Sequence, residues 1–491
     1  MNDRARMALA FLIILVILFV WTVYFSPKKE PSTPSEKVVV DTVVQKTSQV
    51  LPVQFPQKED TIVVDRKNIR VVLSSIGGSI KALYLKAYDV NLVPEGGYLF
   101  LTKSKDDTLV KNFNYIQDYD SVVFMSEGLR KVYRFDQDFG FHLSCDSSDQ
   151  VLSLRSGLSI TEVKNRGEDL RNFAVYIKTT KIENITKKIK DQYRYRGKFE
   201  WFALRSKYFL LVVNNLDGIG EVDFYKLSKE ESIKGAGFGC YYMRGGGNRY
   251  GSEIVTQGPI NISVLSLAVR YDELKKYHRG YEEIASGGIW GPIARIILLV
   301  MNFFFAIFKN YGVAIIIFAI LIKLIFFPLS RQMIISQHKM QMLQPELKKI
   351  QKKYKDDPQR LNQEMMHLYK AYKVNPFSGC LPLLIQMPIF FALFRTLTIA
   401  IEFRQASFMF WITDLSMKDP YYILPIGMGI MMLIQSLTTN IDPRQKFMVI
   451  FMPIFMVFIF LNLPSGLQLY WFTYNILTLI EHYITKRGGI K

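Results

Sequence analysis

The sequence predicts a polytopic α-helical membrane protein of six spans joined to an extracytoplasmic antiparallel β-sandwich domain. Apolar runs of span length gather near both ends of the chain, and the middle third alternates apolar and polar residues with a period of two. Lys and Arg concentrate in loops that a simple topology places on one side. Of the 491 residues, 49% are hydrophobic and the formal charge is +19. A charge of that size also suits nucleic acid. Here it collects between apolar segments, so positive-inside bias accounts for it and no specific nucleic-acid partner is expected.

Met7 to Phe25 is a 19-residue apolar run preceded by Arg4 and Arg6. It is long enough to cross a hydrocarbon core of about 30 Å, and no small-residue cleavage site follows it, so residues 1–25 read as an uncleaved anchor with its N-terminus inside. Residues 26–59, rich in Pro, Ser, Thr, Lys and Val, read as a linker. Residues 60–286 carry the period-two runs: Ile69, Val71 and Leu73, then Leu83 and Leu85 after the Gly77-Gly78 turn, and later Phe173, Val175 and Ile177. Cys145 and Cys240 fall in this domain and Cys380 lies outside it. Two isolated buried thiols are the favoured reading, with a disulfide as the alternative.

In residues 287–310 the polar residues Arg295, Asn302 and Lys309 fall seven apart, one stripe on an otherwise apolar helix. An amphipathic helix lying in the interface explains the stripe. Residues 311–491 contain five apolar segments, Gly312 to Leu329, Cys380 to Ile401, Tyr421 to Leu437, Phe447 to Leu461 and Leu467 to Ile484. The segment between the first two holds ten basic residues against four acidic ones and belongs in the cytoplasm; that placement requires the stripe-bearing helix not to cross. Within it, over residues 331–374, Met333, Met340, Leu343, Leu347, Ile350 and Tyr354 follow helical spacing. Leu361, Met365, Leu368 and Tyr372 do the same after Asp357-Pro358, a cap and first-turn proline. The pattern is that of a helical hairpin with a kink at Pro345.

No P-loop, HExxH, GxSxG or GxGxxG occurs, and the five histidines are scattered, so no metal or cofactor is expected and the enzyme prior is low. The residue that stands out is Lys323, inside Ile320 to Pro328. A cation at a helix centre costs roughly 2.5 to 3.5 kcal/mol on insertion scales, so such a residue faces a polar interior or snorkels to the surface. Gln386, Gln435, Gln468 and Tyr474 in other spans are candidates to line a hydrated recess with it; each also suits an ordinary interhelical hydrogen bond.

Three stretches carry a family likeness: Asn375 to Leu393, Trp411 to Ser416 with Asp419 to Pro425, and Pro464 to Trp471. On these the chain resembles the YidC/Oxa/Alb membrane-protein insertases, and its anchor and β-domain resemble the Gram-negative arrangement. The resemblance implies a five-helix insertase core with a hydrophilic groove open to cytoplasm and lipid, and a β-supersandwich outside. It also implies substrate contacts at Tyr470 and Trp471. Most bacterial members carry Arg where this chain has Lys323, which keeps the charge and loses the planar fork.

The function expected is that of a non-enzymatic insertase and chaperone for nascent inner-membrane proteins. Its expected partners are those clients, the phospholipid bilayer, the Sec translocon, and a ribosome or targeting factor at the cytoplasmic loops. The expected location is the bacterial inner membrane, with the N-terminus cytoplasmic and the large domain periplasmic. The runner-up is a secondary transporter or channel using Lys323 as a coupling charge, which predicts an internal repeat that the five segments do not display. A third reading makes the β-domain a carbohydrate-processing module, which requires a carboxylate pair in a cleft.

Overall fold

The computed structural model describes residues 59–491 apart from 95–96, 104–111, 127, 136–137, 148–151, 163–165, 218, 227–248, 257–258, 286–289, 373–380, 439–445 and 488–491. The N-terminal anchor, nearly all of the linker, Cys240, Cys380 and the stretch Asn375 to Cys380 lie outside the described residues.

The β-domain contains three antiparallel sheets. The first orders β1 (Thr61–Asp65), β2 (Ile69–Ser74), β3 (Ser79–Leu85) and β4 (Val90–Asn91) consecutively. Strand β2 buries Ile69, Val71 and Leu73 as the alternation requires. Gly77 turns the chain into β3 at φ 61°, and a Cβ there would stand 2.5 Å from Leu101 Cδ1, so both conformation and space demand glycine.

In chain order there follow β5 (Leu101–Lys103), β6 (Asn114–Gln117), β7 (Ser121–Ser126), β8 (Leu129–Arg134), β9 (Gly140–Ser147), β10 (Leu152–Gly157), helix α1 (Arg166–Asn172), β11 (Ala174–Lys178) and β12 (Ile182–Asn184). Then come β13 (Gln192–Arg196), β14 (Trp201–Arg205), β15 (Phe209–Asp217), β16 (Glu221–Lys226), β17 (Tyr250–Thr256) and β18 (Ile260–Ala268). A nine-stranded sheet runs β12-β11-β14-β15-β18-β9-β8-β7-β6, and a five-stranded sheet runs β13-β16-β17-β10-β5. Strand β14 is buried throughout, because both faces of its sheet are covered. Phe202, Leu204, Phe209 and Leu211 enter the main sandwich core. Trp201, Ala203, Leu210 and Val212 meet Leu274, Tyr281 and Ile284 of the short helices α2 (Tyr271–Lys275) and α3 (Glu282–Ala285) and the turn between them. Cys145 is a buried free thiol.

Lys131 on β8 is wholly buried and pairs with no carboxylate among the described residues. Its ammonium donates to Gly77 O at 3.3 Å, Thr102 Oγ1 at 3.1 Å and Phe100 O, joining the three sheets. Burial pushes its pKa down from 10.5 to about 7. The unfolded amine therefore binds a proton between pH 7 and 10.5 where the folded one does not, so domain stability falls as pH drops from 10.5 to 7 and is flat below 7. Melting of the β-sheet circular dichroism should show a gain of about 2–3 kcal/mol from pH 7 to 9, which Lys131→Met abolishes.

The C-terminal region is helical: α4 (Gly291–Phe308), α5 (Tyr311–Met342), α6 (Gln344–Lys353), α7 (Pro358–Ala371), α8 (Leu381–Ile399), α9 (Ile423–Thr438), α10 (Lys446–Phe460) and α11 (Ser465–Arg487). Among the described residues, α4 and α5 are long and apolar enough to cross a membrane, and Gln386–Ile399, Ile423–Ser436 and Ile450–Phe460 are shorter apolar helices. The six expected spans are therefore not all reproduced by length and composition. The helix read as interfacial passes the same test as a span. Its polar stripe is partnered: Arg295 lies 4.4 Å from the Tyr271 ring, and Asn302 accepts from the Tyr311 hydroxyl at 2.9 Å. Its outward face, Ile296, Leu299, Phe303 and Ile307, is apolar.

At 1.5 Å per residue the 32 residues of α5 extend about 48 Å, well beyond a hydrocarbon core. The first hairpin arm is thus the continuation of a span, and the expected boundary near Ser330 is no break. The break falls at Leu343, with Pro345 in the first turn of α6. Asp357 caps α7, its side chain accepting from Arg360 N at 3.1 Å. Buried Leu343 and Leu347 pack with Met340, Met365, Leu368 and Tyr369, while Ile350 and Leu361 stay half-buried outside that cluster. Leu347→Asp places a charge among these side chains and should separate the arms, read as faster protease cleavage between α6 and α7 with the apolar helices intact.

Candidate functional site

Lys323 is not a lone cation. It is 7% exposed, and its ammonium lies 2.7 Å from Glu481 Oε2, donates to Thr478 Oγ1 at 2.9 Å and stands 4.6 Å from the Tyr474 ring centroid. The contact at Oε2 is ionic without hydrogen-bond alignment. The Ser330 hydroxyl donates to the other oxygen of Glu481, which is 4% exposed. Tyr474, Thr478 and Glu481 fall at i, i+4 and i+7 on α11, and Lys323 and Ser330 are seven apart on α5, so two polar stripes face each other between apolar helices.

The stripe on α11 continues through Tyr470, whose ring lies 6.1 Å from that of Tyr474 and whose hydroxyl accepts from Gln386 Nε2 of α8 at 2.6 Å. Of the expected groove residues, the fold thus unites Lys323, Gln386, Tyr470 and Tyr474 in one polar column. The rest sit elsewhere. Gln468 is fully buried and donates to Phe460 O at 2.8 Å and Leu463 O at 3.0 Å, closing the turn after α10. Trp471 packs between Phe390 and Phe460 at 5.5 and 5.3 Å. Gln435 is half-buried on α9, a helix that contributes nothing to the contacts just named. Glu481, Thr478 and Ser330 are absent from the residues that spacing singles out. An acidic residue seven after Tyr474 in an apolar helix was the available signal.

The Trp411 to Pro425 and Pro464 to Trp471 stretches interlock at one end of this bundle. Buried Asp419 accepts from Trp411 Nε1 at 2.9 Å and from Leu424 N at 2.8 Å, holding the start of α9. Ser465 Oγ donates to Asp414 O at 3.0 Å, and Gly466 N donates to Leu415 O at 3.0 Å, fixing the start of α11. A Cβ on Gly312 would stand 2.0 Å from Phe408, so α5 begins in direct contact with the same loop.

This end is also tied to the β-domain. Arg404 pairs with Glu162 at 2.5 Å and Arg270 with Glu402 at 3.1 Å, and Ile401 joins the β-domain core. Each domain contributes one Arg and one Glu, a reciprocal pair of bridges. Burial pushes both carboxyls up, against the downward pull of their Arg partners. Among the described residues no group of three or more His, Cys, Asp or Glu could hold a metal ion.

The family model described as 60Kd inner membrane protein matches residues 303–491, which contain the whole column. A membrane protein insertase YidC of Geobacter sp. (strain M21) is 32% identical over 87% of this chain and 85% of its own length. Its namesake from Geotalea daltonii is 31% identical over 98% and 99%. A crystal structure of an active YidC insertase with its first transmembrane domain resolved is 20% identical, with a TM-score of 0.41 over 89% of this chain and 95% of that one. With relatives that similar over nearly their whole length, this chain belongs to the YidC family of membrane protein insertases.

Proposed function

We propose that the protein inserts nascent segments of inner-membrane proteins into the bilayer, using the column from Gln386 to Ser330 as a polar path between apolar helices. The observation that carries this reading is the Lys323–Glu481 pair, buried between α11 and α5, a helix long and apolar enough to cross a membrane. A client's polar flank meets hydrogen-bonding groups there before it meets lipid, which lowers the cost of moving it part-way across. An acidic client tail competes with Glu481 for Lys323. The apolar client segment then leaves toward lipid beside α8 and α11. Burial of that segment and the membrane potential, about 2.3 kcal/mol per charge per 100 mV, supply the energy. The family identity displaces the transporter reading of Lys323.

In this reading the β-domain faces the periplasm and the basic hairpin of α6 and α7 faces the cytoplasm, where it meets ribosome, targeting factor or client; the Sec translocon is a partner for larger clients. The test is reconstitution into vesicles with a small Sec-independent client carrying an acidic tail. Insertion should require the protein, and in right-side-out vesicles Lys352 should react with amine reagents only after permeabilisation. Insertion at the rate of empty vesicles would refute the function, and labelling of Lys352 in sealed vesicles would refute the orientation.

A further inference from the structure

We propose that Gln468, Trp471 and Asn475 of α11 bind the main-chain amides of a client segment that has not yet formed a helix. The inference rests on the insertase reading and adds the chemical group that the protein recognises. The three residues fall at i, i+3 and i+7, so they share one face of α11, beside the stripe from Tyr470 to Glu481 that meets Lys323. Each carries a buried polar atom with no hydrogen-bond partner among the described residues: Gln468 Oε1, Trp471 Nε1 and Asn475 Nδ2. Gln468 is fully buried and uses its Nε2 on Phe460 O and Leu463 O, which leaves the side-chain oxygen over. Asn475 is 7% exposed. The Trp471 indole stands against the Phe390 and Phe460 rings, which offer its N–H no lone pair. Three unmet polar groups along one face of an apolar helix are a standing cost, and a ligand that satisfies them together relieves it.

The set is one acceptor with two donors, and none of the three is charged. A peptide group offers the complement, a C=O that accepts and an N–H that donates, and repeats it in every residue whatever the side chain. The side chains of a client span are mostly apolar, so its main chain holds most of its polar groups. Until the helix closes, those groups are unpaired in a medium without water. From Gln468 to Asn475 the helix rises about 10.5 Å, the length of about three extended residues. The way in lies between α8 and α11. These helices touch through the Gln386–Tyr470 bond at 2.6 Å and through the Phe390 ring, 5.5 Å from that of Trp471, side-chain contacts that an entering segment displaces. Lys323 attracts the acidic tail, and this face holds the neutral chain behind it until that chain pairs its own amides.

The test uses a synthetic single-span client with an acidic tail, made once with its natural amides and once with ester bonds in place of successive amides at the start of the span. An ester has no N–H and a weaker acceptor, and the side chains stay the same. Binding of each client to the full chain in lipid nanodiscs is read by fluorescence anisotropy. Wild type should bind the amide client about fivefold more tightly than the ester client, the effect of one hydrogen bond. Asn475→Leu and Trp471→Phe should each weaken binding of the amide client by about the same factor and leave binding of the ester client nearly unchanged. Trp471→Phe keeps a ring between Phe390 and Phe460, so it reports the loss of the N–H with the packing retained. Gln468 is left intact, because replacing it breaks the two bonds that close the turn after α10. Equal losses for both clients, or no loss for either, overturn the inference. Insertion is assayed separately in vesicles, so amide-dependent binding without insertion supports this face and refutes the insertase function.

Discussion

Lys323→Ala should lower both the amount of protein in the membrane and insertion of acidic-tailed clients, because it leaves Glu481 as a buried, unpaired carboxylate. Breaking a buried pair from one side costs about 3–5 kcal/mol, whereas replacing both partners is often close to neutral. Lys323→Ala combined with Glu481→Ala should therefore restore membrane levels. It should not restore capture of an acidic tail, since no cation remains. Lys323→Glu should be the most damaging single change, because it sets two carboxylates against each other at low dielectric. Lys323→Arg should retain activity, and Glu481→Gln should leave the ammonium free for the client. The cycle, run as insertion assays at matched membrane levels, separates folding from chemistry. Wild-type insertion by the double variant would remove the Lys323 charge from the mechanism.

Arg404→Ala should loosen the β-domain from the helical bundle. The Arg404 side chain is 7% exposed and that of Glu162 12% exposed, so the substitution strands a carboxylate where water reaches poorly, again at about 3–5 kcal/mol. Arg404 also lies over the Phe209 ring at 5.8 Å, and alanine supplies no cation to replace it there. The expected readout is cleavage of the loop 400–420 by an added protease at least tenfold faster than in wild type, with the apolar helices still protected. Exchanging the pair, Arg404→Glu with Glu162→Arg, should recover much of the protection. If Arg404→Ala resists protease as wild type does, this bridge contributes nothing and Ile401 with the Arg270–Glu402 pair holds the junction.

Local physics makes much of this chain legible in its sequence. Period-two runs locate β2 and β11 because each has one face in the core, whereas β3 buries residues on both faces, and Gly77-Gly78 marks a turn that only glycine can make. Asp357-Pro358 announces the start of α7, and Lys323 stands out because a charge in an apolar run needs a reason. Sequence spacing does not tell which side chains meet. Thr478 lies 155 positions from Lys323 and adds nothing to a local pattern, yet it accepts from the ammonium. Gln468 and Gln386 look alike in a span, but one closes a turn on backbone carbonyls and the other reaches Tyr470. The order β15-β18-β9 and the crossed bridges Arg404–Glu162 and Arg270–Glu402 are likewise tertiary. Helix and strand periods fix which face a residue is on, and only the packing of those faces decides its partner.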